Sequence, residues 1–311
     1  MHVTLSSVPS VDDSAGPNAA LAAVRAAEDR GFARIWMAQL PAIAGVAPWD
    51  VLTTFAAAGL HTERIGLASG VLVAHTQHPL ALARQALTVS ALTGGRLLLG
   101  IGVSHRWVVS DIYGYSYARP VGYLREYLEI VTPALRGEPI DYHGDRLTAV
   151  GQLSAAGVAA PEIVIAALGP RMLHLAGSLA SGTVTSWVGV KTVENHIVPT
   201  INAAAEAAGK PTPKVIVGLP VSVTNDVDSA KAAILSSFGA SGEMPAYRAM
   251  LDAEGADTVA DVCVVGDEDS VIDQLQRIAG TGATEFAALP FGDTATVERT
   301  IGLLAAHRTV Q

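Results

Sequence analysis

Short apolar runs of strand length recur along the whole chain, each followed by a longer segment with helical spacing, and this alternation constrains the fold more than any other feature. The runs lie at 2–7 (HVTLSS), 33–38, 65–71, 97–102, 162–168, 183–188, 215–223 and 284–290. They read as the parallel strands of βαβ units, and eight such strands close the common α/β barrel. The expected architecture is a (β/α)8 TIM barrel carried as one domain by residues 1–311. Helices are predicted at 18–30, where Gly31 supplies a C-cap, and at 79–92, between Pro79 and a Gly94–Gly95 stop. Further helices start at Pro120 and Pro170, and the last covers 293–308 behind Asp293 as N-cap.

Three insertions interrupt the rhythm. Residues 103–119 follow the fourth strand and therefore lie on the C-terminal face, where α/β barrels build their sites. Residues 137–161 precede the fifth strand and are expected to approach from the opposite end. An extra apolar run at 261–266 (DVCVVG) belongs to an elaborated connection between the seventh and eighth strands.

With half of its 311 residues hydrophobic and 16% charged, the chain can bury one large core. A net charge of −9 and a pI near 5.4 argue against a nucleic-acid partner, which requires clustered Lys and Arg. Cys263 stands alone, so no disulfide framework is expected. The first ten residues lack the pattern of a signal peptide, and no apolar run is long enough to cross a bilayer. A cytoplasmic, soluble protein with no membrane partner is the resulting expectation.

Several local patterns carry chemistry. Gly100-Ile101-Gly102 lacks the third glycine and the helix of a dinucleotide fingerprint, and Ser104-His105 lacks the second glycine of a nucleophile elbow. His75 and His78 have no carboxylate or cysteine nearby to complete a metal site, so the sequence reads as a turn carrying solvated histidines, and no metal is expected. Leu168-Gly169-Pro170-Arg171 places glycine at a strand end and proline at a helix start. Such a turn points free backbone N–H groups outward at an anion, although a plain βα turn looks the same. Gly70 inside Ser69-Gly70-Val71 marks either a bulge or an ordinary strand glycine. His105 ends a strand beside an aromatic insertion, where a proton partner has use. Trp49, Trp107, Tyr113, Tyr115, Tyr117 and Trp187 are candidates for an aromatic substrate pocket, whereas Trp36, inside its strand, reads as core.

The order of these segments resembles the luciferase-like flavin and deazaflavin oxidoreductases, and within them the branch that uses coenzyme F420. The likeness rests on Gly31-Phe32-Ala33-Arg34-Ile35-Trp36, on Arg64 to Gly70, on His78-Pro79 running to Gln85, and on Gly94-Gly95-Arg96 followed by Leu97 to Gly102. Ala166 to Arg171 and Gly266 to Val271 complete it. The resemblance implies a non-prolyl cis peptide behind the cofactor ring, at Ser69–Gly70 or Gly70–Val71. It also implies cofactor contacts from Ser69, Gly70, Val71 and Ser104, and a phosphate-binding loop at Ala167, Leu168, Gly169, Pro170 and Arg171. A homodimer is expected on the same ground. Where sugar-phosphate dehydrogenases of this family carry an acidic residue and histidine, this chain has Gln39-Leu40, and where they carry glutamate it has His105. Alcohol oxidation needs a base for the hydroxyl proton, so these replacements favour reduction of a C=C, C=N or C=O bond, with His105 and Gln39 as the catalytic candidates. FMN in place of F420, in a monooxygenase, is the alternative, and a catalytically silent cofactor-binding barrel is a third reading.

Overall fold

A computed structural model describes residues 1–8, 16–43 and 46–311. Its strands in chain order are β1 (His2–Ser7), β2 (Arg34–Met37), β3 (Gly66–Ser69), β4 (Leu72–Val73), β5 (Leu97–Gly102), β6 (Ile140–His143), β7 (Thr148–Gly151), β8 (Glu162–Ala166), β9 (Gly182–Ser186), β10 (Lys214–Val223), β11 (Val264–Gly266) and β12 (Glu285–Pro290). Parallel pairing runs β1-β2-β3-β5-β8-β9-β10-β12 and returns to β1 through His2↔Glu285, which closes an eight-stranded barrel. All eight expected strands are present, shifted by no more than a few residues at their ends. β4 continues β3 past a bulge and pairs with β5. β11 pairs with the end of β10, as Val221↔Val264, and accounts for the extra apolar run.

The helices follow from local chemistry. Pro17–Asp29 ends before Gly31 at φ +78°, a left-handed conformation that glycine adopts without penalty. Pro79–Leu92, Pro120–Leu135 and Pro170–Leu179 each start on proline, whose fixed φ suits a first helical turn and whose missing N–H costs nothing there. Asp293 accepts the Thr296 N–H at 2.7 Å and caps Thr294–Ala306. The third insertion holds helices Val227–Gly242 and Pro245–Glu254 ahead of β11, with Glu268–Gly280 behind it. Among the described residues no helix is long and apolar enough to cross a membrane.

One expectation needs correction. Residues 137–161 start at the far end of the barrel but fold into the antiparallel hairpin β6–β7, which climbs along helix Pro120–Leu135 toward the C-terminal face. Its turn is held by the Glu126 carboxylate, which accepts the Arg146 and Leu147 N–H groups at 2.9 Å each. Beyond it, Arg146 Nη1 donates to the Ala118 carbonyl at 3.1 Å, and His78 Nε2 lies 3.0 Å from the Thr148 carbonyl. This insertion thus buttresses the loop after β5.

Inside the barrel, Trp36, Ala68, Leu98, Val164, Ile216 and Ala287 form one packed layer with Val184 against it. Below that layer sits Glu285, only 5% exposed. Its Oε1 accepts from Trp36 Nε1 at 2.6 Å and from Thr4 Oγ1 at 2.9 Å, while Oε2 pairs with Arg34. A carboxylate can be buried here because donors from β1 and β2 satisfy both of its oxygens. Removing it strands the Arg34 guanidinium in the barrel floor. Glu285→Ala should therefore lose about 3–5 kcal/mol of stability, the usual cost of breaking a buried pair. A shift in the denaturation midpoint worth less than about 1 kcal/mol, the scale of a surface pair, would show that the network does not hold the floor.

Candidate functional site

Alternation along each strand puts the next inward position above the packed layer. Small residues stand there on β1 (Ser6), β8 (Ala166), β9 (Ser186) and β10 (Gly218), Leu289 stands there on β12, and on β5 the space beside Gly100 and Gly102 is taken by the bulge after β3. The C-terminal half of the barrel interior is consequently a shallow bowl with a floor of Trp36 and its neighbours.

One wall of the bowl is the bulge between β3 and β4, where the Gly70–Val71 peptide is cis. Ser69 is fully buried, and its hydroxyl both donates to the Gly100 carbonyl at 3.0 Å and accepts the Gly100 N–H at 2.9 Å. Its side chain thus ties the bulge to β5, while Gly70 and Val71 remain partly exposed. A Cβ on Gly100 would collide with the Ser69 carbonyl, and one on Gly102 would lie 2.8 Å from Val71 Cγ2. The two glycines that mimic a dinucleotide fingerprint are required instead by the close approach of this bulge.

At the end of β5, Ser104 adopts φ +57°, sparsely populated for a residue with a side chain. The Tyr117 hydroxyl donates to the Ser104 carbonyl at 2.9 Å and holds this turn. His105 follows, partly buried, with Trp107 37% exposed beside it. Its ring meets that of Tyr247, with centroids 5.4 Å apart and planes at 59°. Burial lowers the pKa of His105 below the ordinary 6.5, so the imidazole is uncharged at pH 7.

At the end of β8, Ala167 is buried, Leu168 and Gly169 are partly exposed, and Pro170 and Arg171 are exposed. Gly169 is the N-cap of helix Pro170–Leu179 and no side chain caps the helix. Nothing lies within 4 Å of where a Gly169 Cβ would stand, so a ligand can approach the turn at the helix N-terminus. His196 Nε2 donates to the Leu168 carbonyl at 2.8 Å and braces the turn.

The remaining candidates divide. Gln39 and Tyr113 line a common side cavity of about 130 Å³ with Gln77, Gln85 and Asp50, and Gln39 Oε1 accepts the Val51 N–H at 2.9 Å. The Gln39 amide therefore helps to start helix Val51–Gly59. Trp49 packs over Gly16 at the start of the first helix. Trp187, 9% exposed, packs on Phe238 at 5.3 Å, and Phe238 in turn on Phe291.

His75 is not solvated, contrary to the sequence reading. It is 7% exposed and stacks on Tyr123, with centroids 4.0 Å apart and planes at 8°. Burial, aided by the Arg146 charge, lowers its pKa to about 4. His78 does remain exposed and caps its helix by accepting the Leu80 N–H at 3.3 Å. Tyr117 was among the aromatic candidates of the sequence, whereas Tyr123 and Tyr247 were passed over. Tyr247 arrives from the third insertion with no local signature.

The bowl, the bulge and the open helix N-terminus suit a flat ring joined to an anionic tail: small inward residues leave depth for the ring, and unspent amides await a phosphate. Comparisons agree with this geometry. The luciferase-like monooxygenase family matches residues 1–285. The 5,10-methylenetetrahydromethanopterin reductase of Methanopyrus kandleri is 24% identical over 306 residues, covering 84% of this chain and 86% of that protein. The solved structure of the coenzyme F420-dependent tetrahydromethanopterin reductase from the same organism superposes with a TM-score of 0.82 at 22% identity, over 98% of this chain and 97% of that one. The FMN-bound oxygenating constituent of 3,6-diketocamphane monooxygenase from Pseudomonas putida superposes with a TM-score of 0.79 at 20% identity, over 98% and 96% of the two chains. With the barrel, the bulge and the family match together, this chain is an oxidoreductase that belongs to the luciferase-like monooxygenase family.

Proposed function

We propose that the protein is an F420-dependent reductase acting on an activated C=C, C=N or C=O bond of a small organic molecule. The observation that carries this reading is the pairing of a small-residue bowl under the Gly70–Val71 bulge with an uncapped helix N-terminus at Gly169. Relatives named for F420-dependent chemistry support the choice of cofactor, among them a putative coenzyme F420-dependent oxidoreductase of Mycobacterium tuberculosis, 32% identical over 175 residues.

In this reading Gly70 and Val71 back the ring, Ser104 contacts the tail, and Ala167 to Arg171 receive its phosphate through backbone amides and the Arg171 charge. A reduced deazaflavin bound there supplies a hydride. Everything else falls to the chain. The bulge and the Trp36 layer keep water from the rear of the bowl. His105, at the front, is the hydrogen-bond or proton partner of the reacting group. Gln39 is spent on helix Val51–Gly59 through its oxygen, which leaves its N–H₂ as a neutral donor rather than a base. With Gln39 and Leu40 standing where the sugar-phosphate dehydrogenases carry an acidic residue and histidine, this reading favours reduction.

Titration followed by deazaflavin fluorescence should show tighter binding of F420 than of FMN. Tighter binding of FMN would move the protein to the monooxygenase reading, in which oxygen is the acceptor.

His105→Ala should lower turnover by about a hundredfold and leave cofactor affinity nearly unchanged, the scale of a lost general acid. The pH profile carries the sign. Because burial lowers the His105 pKa, its protonated form accumulates only as pH falls below 6.5, so turnover carried by the imidazolium rises there in the native enzyme. His105→Gln should lack that rise. Equal profiles in both proteins would exclude His105 as the proton source.

A further inference from the structure

We infer that Tyr247 is a substrate-binding residue whose hydroxyl hydrogen-bonds the polar acceptor atom of a neutral, planar carbonyl compound lying against His105. The inference rests on the reductase reading for the reaction, but its geometry does not depend on the cofactor. Tyr247 is half-buried and its ring lies against His105, with centroids 5.4 Å apart. Neighbouring tyrosines spend their hydroxyls on the backbone: Tyr117 on Ser104 at 2.9 Å, Tyr123 on Ala74 at 3.4 Å and Tyr127 on Gln77 at 3.2 Å. The Tyr247 hydroxyl has no such partner among the described residues. With no protein partner and not sealed from water, this hydroxyl is free to exchange its water for a ligand atom at the barrel mouth.

Its placement is also enforced. Helix Pro245–Glu254 is fastened to the segment after β9, where the Glu254 carboxylate accepts the Thr192 N–H at 2.8 Å and the Lys191 N–H at 3.2 Å. Thr192 Oγ1 donates to the Met250 carbonyl at 3.2 Å. At the other end Arg248 donates to the Ala256 and Asp257 carbonyls, at 2.7 and 2.8 Å. The helix so carries Tyr247 past the ends of β8 and β9 to the end of β5. A donor fixed before the ligand arrives loses little entropy on binding.

Protonation assigns the direction of the bond. Burial, with the nearby Tyr117 hydroxyl adding to it, pushes the Tyr247 phenol up, while burial pulls His105 down. At neutral pH the phenol keeps its proton and the imidazole is uncharged. Tyr247 is then the donor, and the ligand atom must accept. His105, Tyr117, Trp107 and Tyr247 present aromatic surfaces without formal charge, which suits a flat, neutral ligand.

The test compares acetophenone with ethylbenzene, similar in shape but lacking the carbonyl, by calorimetric titration of the full-length protein with and without bound oxidised F420. The native protein should prefer the ketone by about tenfold, the value of one neutral hydrogen bond. Tyr247→Phe, which keeps the ring against His105, should erase that preference without changing cofactor affinity. Tyr117→Phe, whose hydroxyl is already engaged, should retain it. A preference that survives in Tyr247→Phe, that is lost in Tyr117→Phe instead, or that is missing from the native protein in both forms overturns the inference. Should F420 fail to bind while the cofactor-free protein still shows a Tyr247-dependent preference, the cofactor assignment falls and this one stands.

Discussion

Closing eight parallel strands creates an interior that side chains have to fill, and this chain fills it from one end only. Trp36 spans the middle of the barrel because its indole N–H has a buried acceptor in Glu285, which is itself held by Thr4 and Arg34. That network completes the floor. With the floor complete, most inward positions above it are free to be Gly, Ala and Ser, with Leu289 on β12 the large exception, and the C-terminal half becomes a bowl instead of a second packed layer. The binding geometry is thus a by-product of where large residues stop.

The bulge after β3 follows from the same economy of volume. Its carbonyl and the Val71 side chain come so close to β5 that only glycine fits at 100 and 102, and Ser69 bridges the widened gap with its hydroxyl. Around this rigid wall the variable parts are insertions. The loop after β5 supplies Ser104, His105 and Trp107, the β6–β7 hairpin braces it through Arg146, and the third insertion brings Tyr247 from across the mouth. A shared barrel with walls built from insertions accords with one fold serving relatives named for quite different reactions.

Much of the scaffold was legible because its signals are local. Strand periodicity located all eight barrel strands, proline marked three helix starts, and the bulge at Gly70 came from the family resemblance, since a glycine inside a strand left it open. What stayed hidden depends on contacts distant in sequence. His75 reads as an ordinary turn histidine until Tyr123, Tyr117 and Arg146 are packed around it, and the depressed pKa of His105 arises from burial that no neighbour in sequence reveals. The far reach of residues 137–161 was misjudged because a hairpin of four-residue strands, with its Gly144 turn anchored on Glu126, leaves little hydrophobic alternation to read. Tyr247 lies 142 residues after His105 in sequence, and only the third insertion's path over the mouth joins them.

The central claim is that the bowl above Trp36 holds a deazaflavin ring against the Gly70–Val71 wall, with the phosphate at the helix N-terminus beyond Gly169. A crystal structure of the protein with F420 bound tests it most directly. The account predicts the tricyclic ring stacked on Gly70–Val71, phosphate oxygens within hydrogen-bond reach of the amides at Gly169–Arg171, and His105 and Tyr247 across the open face of the ring. A ring bound outside the barrel mouth, or a phosphate held elsewhere with the Gly169 amides bare, would contradict it.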